Sequence, residues 1–455
     1  MKKLIIILFA VTLQITVNAQ SKRAANWNFG GGVYFNFADD TIAVSIGNYG
    51  VSEQGSTISD TSGNLLFYVL SSKIINSQHN IMPNGQDLLG NASACNGSII
   101  IPKPNNDSIY YIFQVGKPAD VTTETYAELY YHIVNMNIDS GRGDVIVKNT
   151  LMLDSVGERL TAVYHSNGID VWLMTHKYTD DSYYAYLITE NGISEPVITK
   201  IGYEYTSKGN TIGQMKFSPN GKLLVAAIPN ILGDDRIDIF QFNNETGILS
   251  NYIYTNCTLP PYGIEFSPDN TKIYTGNITT VYQYNILHYN QDSLRNSVKE
   301  IYIGPINTFK GLQLGIDKKL YVTRDDAGTI ARINKPNELG DSCDFVYDAI
   351  YLEGRTCDNV FPNFICSYFD FDFGVSVPKL KQEQIAIYPN PASNVFTITN
   401  ENLKIGNKIE IFNLQGQKIL TKELNSQTQT IDISKIPTGI YIYKIGKESG
   451  KLVKM

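Results

Sequence analysis

Phe217-Ser218-Pro219-Asn220-Gly221-Lys222-Leu223-Leu224-Val225 and Phe266-Ser267-Pro268-Asp269-Asn270-Thr271-Lys272-Ile273-Tyr274 are one phrase written twice, roughly 50 residues apart. Each reads strand, tight turn, strand. The proline fixes φ at the start of the turn, and Asn, Asp or Gly accepts the positive φ that follows. The flanks are apolar, β-branched and aromatic, the residue types that suit a pleated, half-buried surface.

The phrase recurs in looser form on both sides. Ser56–Ser59 leads through a turn at Gly63-Asn64 into Leu65–Leu70, and Ser98–Ile101 through Asn105-Asn106-Asp107 into Ile109–Val115. Leu160–Tyr164 leads through Ser166-Asn167-Gly168 into Asp170–Thr175, and Leu312–Gly315 through Asp317-Lys318 into Leu320–Thr323. With the opening pair, these make six near-complete units. Trp27–Asn48 reads as strand, turn, strand ahead of them, and Asn363–Phe371 as a single strand behind. Several short strands per unit, repeated at this period, specify an all-β protein with a β-propeller over residues 20–373. Pooling the leftover end strands into one shared blade predicts seven blades, with Trp27 and Phe364 in the same sheet; six or eight stay open by the same count. Sharing a blade removes free sheet edges that would otherwise pair with other chains.

The composition agrees. The 455-residue chain is 43% hydrophobic and 18% charged, with 30 Tyr, 36 Gly and no long helical pattern. Residues 1–19 read as a secretory signal peptide: Lys2 and Lys3 give a basic start, Leu4–Val17 is mostly apolar but short, and Val17-Asn18-Ala19 suits cleavage before Gln20. No other apolar run is long enough for a membrane helix, so no transmembrane segment is expected in the mature chain. The formal charge of -7 is uneven, because Ile385–Met455 holds nine Lys against five Asp or Glu and leaves the body acidic. An acidic body argues against nucleic acid as a partner, which needs clustered Lys and Arg. The five cysteines, Cys95, Cys257, Cys343, Cys357 and Cys366, include no CxxC pair, so a structural zinc site is not expected. In an exported chain Cys343 and Cys357 are the expected disulfide, with at least one thiol left over.

Residues 374–384 lose the strand pattern around Pro378, Lys379, Lys381 and Gln382 and read as a linker. From Ile385 a fresh set begins: Ile387-Tyr388, Val395–Thr399, Lys408–Asn413, Lys418–Glu423, Gln429–Ile433 and Gly439–Ile445. Short strands at this spacing form a small Ig-like β-sandwich over residues 385–455. Tyr388-Pro389-Asn390-Pro391-Ala392, Ile411-Phe412-Asn413-Leu414-Gln415-Gly416-Gln417, Ile436-Pro437-Thr438-Gly439-Ile440-Tyr441 and the basic tail Lys451–Lys454 resemble, in order, the sorting domain of the type IX secretion system of the phylum Bacteroidota. The resemblance implies Sec export followed by passage across the outer membrane, with the type IX machinery as partner of residues 385–455 and the domain removed on arrival. The protein is then expected to be secreted or attached at the cell surface.

Residues 26–371 resemble the secreted propellers found ahead of such domains, in Gly63-Asn64-Leu65-Leu66-Phe67-Tyr68, Met82-Pro83-Asn84-Gly85, Ile100-Ile101-Pro102-Lys103-Pro104, Pro261–Pro268 and Pro362-Asn363-Phe364-Ile365. The Ser-Pro-Asn and Ser-Pro-Asp turns are also similar to those of lactonase-like and YVTN-type seven-bladed propellers. The first likeness implies no activity. The second is one of fold, and fold does not imply function.

Catalytic chemistry is hard to find in the sequence. Of His79, His132, His165, His176 and His288, only His165 and His176 flank one hairpin, and no acidic partner stands at metal-ligand spacing. The acidic pairs Asp39-Asp40, Asp180-Asp181, Asp234-Asp235 and Asp325-Asp326 lack the alternating Asp and Gly of a calcium loop, and calcium is the one cofactor left open. Neither a nucleophile elbow nor a phosphate loop is present, so no catalytic residue is assigned. Trp27 and Trp172 are the tryptophans available for stacking on sugars, beside the many tyrosines. Equivalent units would end their second strands on one rim, at Lys73, Lys117, His176, Asn230, Asn277 and Arg324, and start their first strands there near Arg159, Tyr262 and Lys310. A propeller's mouth is its usual ligand site. The expected ligand rim is therefore Arg159, His176, Tyr262, Asn277, Lys310 and Arg324, suited to a polar or anionic ligand such as an acidic glycan. Replacing Arg159, Lys310 and Arg324 is expected to spare stability. The function read from this is a non-catalytic ligand-binding or adhesion protein with an extracellular glycan or protein as ligand. The alternative is a propeller hydrolase or lyase, which would need acidic and His side chains converging at the mouth.

Overall fold

The computed structural model describes residues 22–37, 42–51, 53–116, 127–178, 180–205, 207–230, 234–305, 309–325, 327–357, 360–371, 386–399, 407–413, 415–426, 428–445 and 448–455. The signal segment 1–19, the linker 374–384, Lys117, Asp39-Asp40 and Asp326 lie outside them. The chain divides into two compact units, Met1–Gly374 and Val375–Met455.

The repeated phrase folds as its chemistry dictates. Ser218 Oγ accepts from Leu223 N at 2.9 Å and donates to Asn220 Oδ1 at 2.8 Å, while Gly221 N closes the turn on Ser218 O at 2.8 Å with φ +67. Ser267 repeats the pattern, accepting from Lys272 N at 2.9 Å and donating to Asp269 Oδ1 at 2.6 Å, with Asn270 at φ 62. Serine satisfies the turn's backbone, and Gly or Asn takes the left-handed position. The two turns touch, Asn220 N donating to Asn270 Oδ1 at 3.0 Å, so successive repeats stand side by side.

In the first unit the described residues form seven antiparallel sheets. The first contains Asn26–Phe29, Val33–Asn36 and Ala43–Ile46. The second runs from Ser56–Ser59 to Ile81–Gln86, the third from Ser98–Pro102 to Asp144–Val156, and the fourth from Thr161–Tyr164 to Val197–Lys200. The fifth runs from Met215–Phe217 to Ile248–Asn256, the sixth from Gly263–Phe266 to Lys299–Ile303, and the seventh from Phe309–Leu314 to Phe345–Tyr351.

Inner strands of successive sheets are tied together. Asn26 Nδ2 donates to Ser59 Oγ at 2.9 Å, Ser98 Oγ to Ser56 Oγ at 2.8 Å and Leu160 N to Asn96 O at 3.2 Å. Phe217 N donates to Thr161 Oγ1 at 3.3 Å, Ile264 N to Gln214 Oε1 at 3.0 Å and Leu314 N to Glu265 Oε2 at 3.3 Å. Trp27 then meets Tyr321 of the seventh sheet edge-on at 5.5 Å, which closes the circuit. This is a β-propeller. Trp27 is fully buried among Phe35, Phe37, Tyr321, Phe361 and Phe364, and truncating it to Ala would cost roughly 3–5 kcal/mol.

Closure differs from the shared blade expected above. The first sheet is built wholly from N-terminal strands, and Phe364 pairs with none of them. Instead Asn363 bridges Ser56 of the second sheet and Ile365 bridges Ala162 of the fourth, both in parallel. The rings of Phe361 and Phe364 still reach Trp27, at 5.1 and 6.0 Å. The reason lies in the burial. Every residue from Val360 to Phe369 is buried, so the segment is enclosed on all sides and has no solvent-facing alternation of the kind an outer or edge strand shows. The segment therefore plugs the centre and ends in the buried 3-10 turn Cys366–Phe369.

The expected Cys343–Cys357 disulfide is also corrected, since all five cysteines are free. The strand Phe345–Tyr351 runs the length of the seventh sheet between them. Cys357 Sγ ends beside Arg324, donating to its carbonyl at 2.7 Å, while Cys343 lies at the other end beside Tyr274.

The second unit pairs Ala386–Tyr388, Val395–Thr399 and Thr428–Asp432 in one sheet, and Lys408–Phe412, Lys418–Glu423, Gly439–Ile445 and Glu448–Lys454 in another. Phe396, Ile398 and Ile431 of the first face Ile409, Ile411, Tyr441 and Leu452 of the second in one core, a β-sandwich. The basic tail is thus the sandwich's last strand.

Candidate functional site

Antiparallel pairing decides which strand ends meet. Thr161 lies opposite Met174, Gly263 opposite Gly276 and Phe309 opposite Arg324, so inner strands start where second strands finish. Arg159 and His176, Tyr262 and Asn277, and Lys310 and Arg324 sit in pairs at or beside such strand ends, but most are already occupied, and Lys117 lies outside the described residues.

Arg159 is fully buried. It donates to Asn210 O at 2.6 Å, Ile212 O at 2.5 Å, Thr211 O at 3.3 Å and Tyr205 OH at 3.0 Å. It is the hub that holds the 207–212 loop. His176, also buried, stacks on Tyr205 at 3.7 Å, and burial together with the Arg159 charge drives its pKa down to about 3. Lys310 pairs with Asp325 at 2.9 Å. Arg324 pairs with Asp348 at 2.6 Å, lies 3.8 Å over the Tyr347 ring and also meets Thr329. Arg159, Lys310 and Arg324 are therefore committed to internal partners.

Tyr262 and Asn277 do come together. With Asn230, Ile212, Pro229, Pro261 and Ile278 they line a pocket of about 250 Å³ between the fifth and sixth sheets. Asn277 Oδ1 accepts from Thr279 N and Thr280 N at 3.0 and 2.9 Å, which shapes the turn at the wall. Asn230 Nδ2 donates to Tyr203 OH at 3.2 Å.

Beside this pocket lies a group that the sequence reading missed. Glu53, Cys95 and Glu158 surround the buried hydroxyl of Tyr262 closely enough to raise its pKa, after burial itself. Burial first, and then the Glu53 charge, lift Glu158 to about 7, although Cys95 N–H and Arg159 favour its anion. Its Oε2 is buried with no hydrogen-bond partner among the described residues. Burial drives the Cys95 thiol far above its usual range, which disfavours the thiolate a nucleophile needs. These three residues lie in loops 42 and 63 positions apart, with no local motif to connect them.

Deeper on the axis the channel is filled. Lys216 Nζ donates to Gln313 Oε1 at 2.6 Å and stands 3.7 Å from Glu265 Oε2, all three buried on inner strands. Glu265 also accepts from Phe266 N and Leu314 N, and burial raises its pKa against the pull of Lys216. Cys366 of the central plug sits 3.4 Å from Thr161 Oγ1. Among the described residues no group of three or more His, Cys, Asp or Glu is placed to hold a metal ion, and no helix is long and apolar enough to cross a membrane.

The sandwich has its own constellation. Asn390 clasps the terminal strand, donating to Lys451 O at 2.7 Å and accepting from Val453 N at 2.8 Å. Ala392 N and Met455 N add bonds across the same seam, at 2.8 and 2.9 Å. The opening motif and the chain's last residues are thus one structural feature, and Tyr441 OH fastens the third motif by donating to Pro437 O at 2.8 Å. Residues 386–455 match the family described as a secretion system C-terminal sorting domain.

The C-terminal unit is a sorting domain. It marks the chain for export by the type IX system. A stretch of 72 residues is 35% identical to beta-agarase D of Zobellia galactanivorans, covering 16% of this chain and 14% of that enzyme. Among solved structures, a functionally unknown protein from Desulfotomaculum acetoxidans aligns with TM-score 0.43 and 14% identity over 73% of this chain and 95% of that one. A putative 6-phosphogluconolactonase from Bacteroides fragilis gives 0.40 and 12% over 61% and 80%. A quinonprotein alcohol dehydrogenase-like protein from Bacteroides thetaiotaomicron gives 0.39 and 11% over 69% and 73%. At this distance no chemistry passes from those proteins to this chain.

Proposed function

We propose that this is a secreted or surface-attached, non-catalytic binding protein whose propeller mouth takes an uncharged polar ligand such as a neutral glycan. The observation that supports it is the pocket at Tyr262, Asn277 and Ile278, on a face where Arg159, Lys310 and Arg324 already have internal partners. An anionic ligand would have to break the Lys310–Asp325 and Arg324–Asp348 pairs and would meet Glu53 and Glu158 nearby, so the acidic-glycan preference is withdrawn at this site. An aromatic and proline-lined wall with a few fixed amides is the usual lining of a small-ligand site. The test is titration of the full chain with neutral hexasaccharides. One of them should bind, and Tyr262→Leu with Ile278→Ala should weaken it at least tenfold. Absence of binding, or affinity unchanged in the double variant, would move the site elsewhere.

Glu158 favours a second reading, acid–base hydrolysis at the same mouth. A carboxyl with pKa near 7 beside a second carboxylate is the arrangement a general acid requires. Aryl glycosides and lactones are the probes, and turnover abolished by Glu158→Gln would favour this reading over simple binding.

A further inference from the structure

A second groove, of about 530 Å³, lies on the flank of the propeller between the end of the fifth sheet and the outer strands of the sixth. Asn256, Tyr282, Tyr284, Arg295, Lys299 and Glu300 line it. Lys299 and Glu300 begin the sixth sheet's outermost strand, opposite Gln283 and Tyr282. Arg295 comes from the short helix Gln291–Asn296, which the buried Leu294 anchors.

The groove's edge is a stack of alternating rings and guanidinium groups. Arg236 lies 4.3 Å over the Tyr203 ring and 5.0 Å over that of Tyr254, and Arg295 lies 4.8 Å over Tyr254. Tyr252 continues the wall, stacked on Tyr254 at 5.8 Å. Arg236 has Asp234 at 3.9 Å and the buried Asp238 behind it. Arg295 is exposed at the outer end of the stack and makes no ion pair among those found in the described residues. Stacking fixes the guanidinium plane, and its two terminal nitrogens donate to the Gln291 side-chain oxygen at 2.8 and 3.3 Å, a neutral, half-exposed partner that an oxyanion taking two parallel hydrogen bonds would displace. The groove lining carries two cations against one carboxylate, the opposite balance to an acidic body. Beside Thr255, Cys257, Thr258 and Val298, its other groups are the Asn256 amide and the rings of Tyr282 and Tyr284, which suit sugar hydroxyls and ring faces. One surplus positive charge matches one acidic sugar rather than a polyphosphate.

We infer that this flank groove binds an acidic saccharide, with Arg295 and Lys299 on its carboxylate or sulfate group. The site is separate from the mouth and does not depend on the reading given to it.

The test titrates the full chain with an oligogalacturonate hexamer, with a sulfated galactose hexamer and with a neutral galactose hexamer. At least one acidic oligomer should bind, more weakly as salt rises, because the contact is exposed and screened. The double variant Arg295→Ala, Lys299→Ala should lose at least tenfold in affinity. Both residues are exposed, and unchanged thermal unfolding would confirm that the variant folds. Arg295→Lys should recover only part of the loss, since it keeps charge but not the planar fork. Binding of the carboxylated oligomer alone, the sulfated one alone, or both names the oxyanion and supports the site. No binding of either, an affinity untouched by the double variant, or a neutral-oligomer affinity that the double variant lowers as much as the acidic one would overturn it.

Discussion

Arg159 shows how a cation's surroundings reverse its reading. In the sequence it stands at a strand start and looks like a ligand contact. In the structure its fork satisfies three carbonyls of the 210–212 backbone and Tyr205. Arg159→Met would leave those carbonyls buried and unpaired, and a loss of about 3–5 kcal/mol is expected in urea unfolding. A loss under about 1 kcal/mol would return Arg159 to the rim. Glu158 makes a pH prediction. Its carboxyl is lifted from 4.5 to about 7, mainly by burial. Between those values the folded state holds a proton that the unfolded state releases, so stability falls as pH rises from about 4.5 to 7. Asp238, raised to about 6, adds the same sign. His176 and His132, lowered to about 3 and about 4, act oppositely, because below 6.5 the unfolded state binds the proton first. The readout is therefore the difference between wild type and Glu158→Gln. It should be near zero at pH 4.5 and should favour the variant by roughly 1–3 °C in Tm at pH 7 and above. Parallel curves across that window would contradict the raised carboxyl.

At the scale of elements, the central plug bears the closure that a shared blade was expected to bear. Asn363 Nδ2 donates to Asn96 O and Leu160 O, at 3.2 and 2.8 Å, and its own N–H meets Gly55 O at 3.2 Å. One side chain thus joins loops before the third and fourth inner strands. Asn363→Ala should cost about 2 kcal/mol, mainly through the Leu160 carbonyl it strands, since Asn96 O keeps the Leu160 N–H. A chain ending at residue 359 should fail to unfold cooperatively, because Phe361, Phe364, Ile365, Tyr368 and Phe369 leave the core with the plug. Circular dichroism melts of both would decide, and a cooperative melt of the truncated chain would deny the plug its role. The hairpins themselves were legible in the sequence. Every Ser-Pro or Gly-Asn turn named there joins two observed strands, because turn chemistry and period-two flanks are local facts. The plug was not legible, since its partners are 200 and more positions away.

Over the whole molecule, the sequence told more about destination than about ligand. Export is written in contiguous motifs, which fold into a clasp between Asn390 and the terminal strand. The mouth is written in single residues from separate loops, so Tyr262 and Asn277 were found by strand-end reasoning and Glu53 and Glu158 were not. The clasp also makes the last prediction. The sorting domain's core is small, and Leu452 of its final strand is 1% exposed within it. A domain of this size has little stability to spare, and losing one large buried aliphatic side chain costs about 2–5 kcal/mol. Removing residues 452–455 takes that side chain away. It also removes the Val453 and Met455 bonds that hold Asn390 and Ala392. The shortened chain should then behave like one lacking all of 386–455. Its propeller should melt at the same temperature, since the core around Trp27 is built from residues of the first unit. Export should stop after the inner membrane, with the folded propeller retained in the periplasm. Fractionation with an antibody to the propeller reads this directly, and normal delivery of the four-residue truncation would show that the closed clasp is not what the machinery requires.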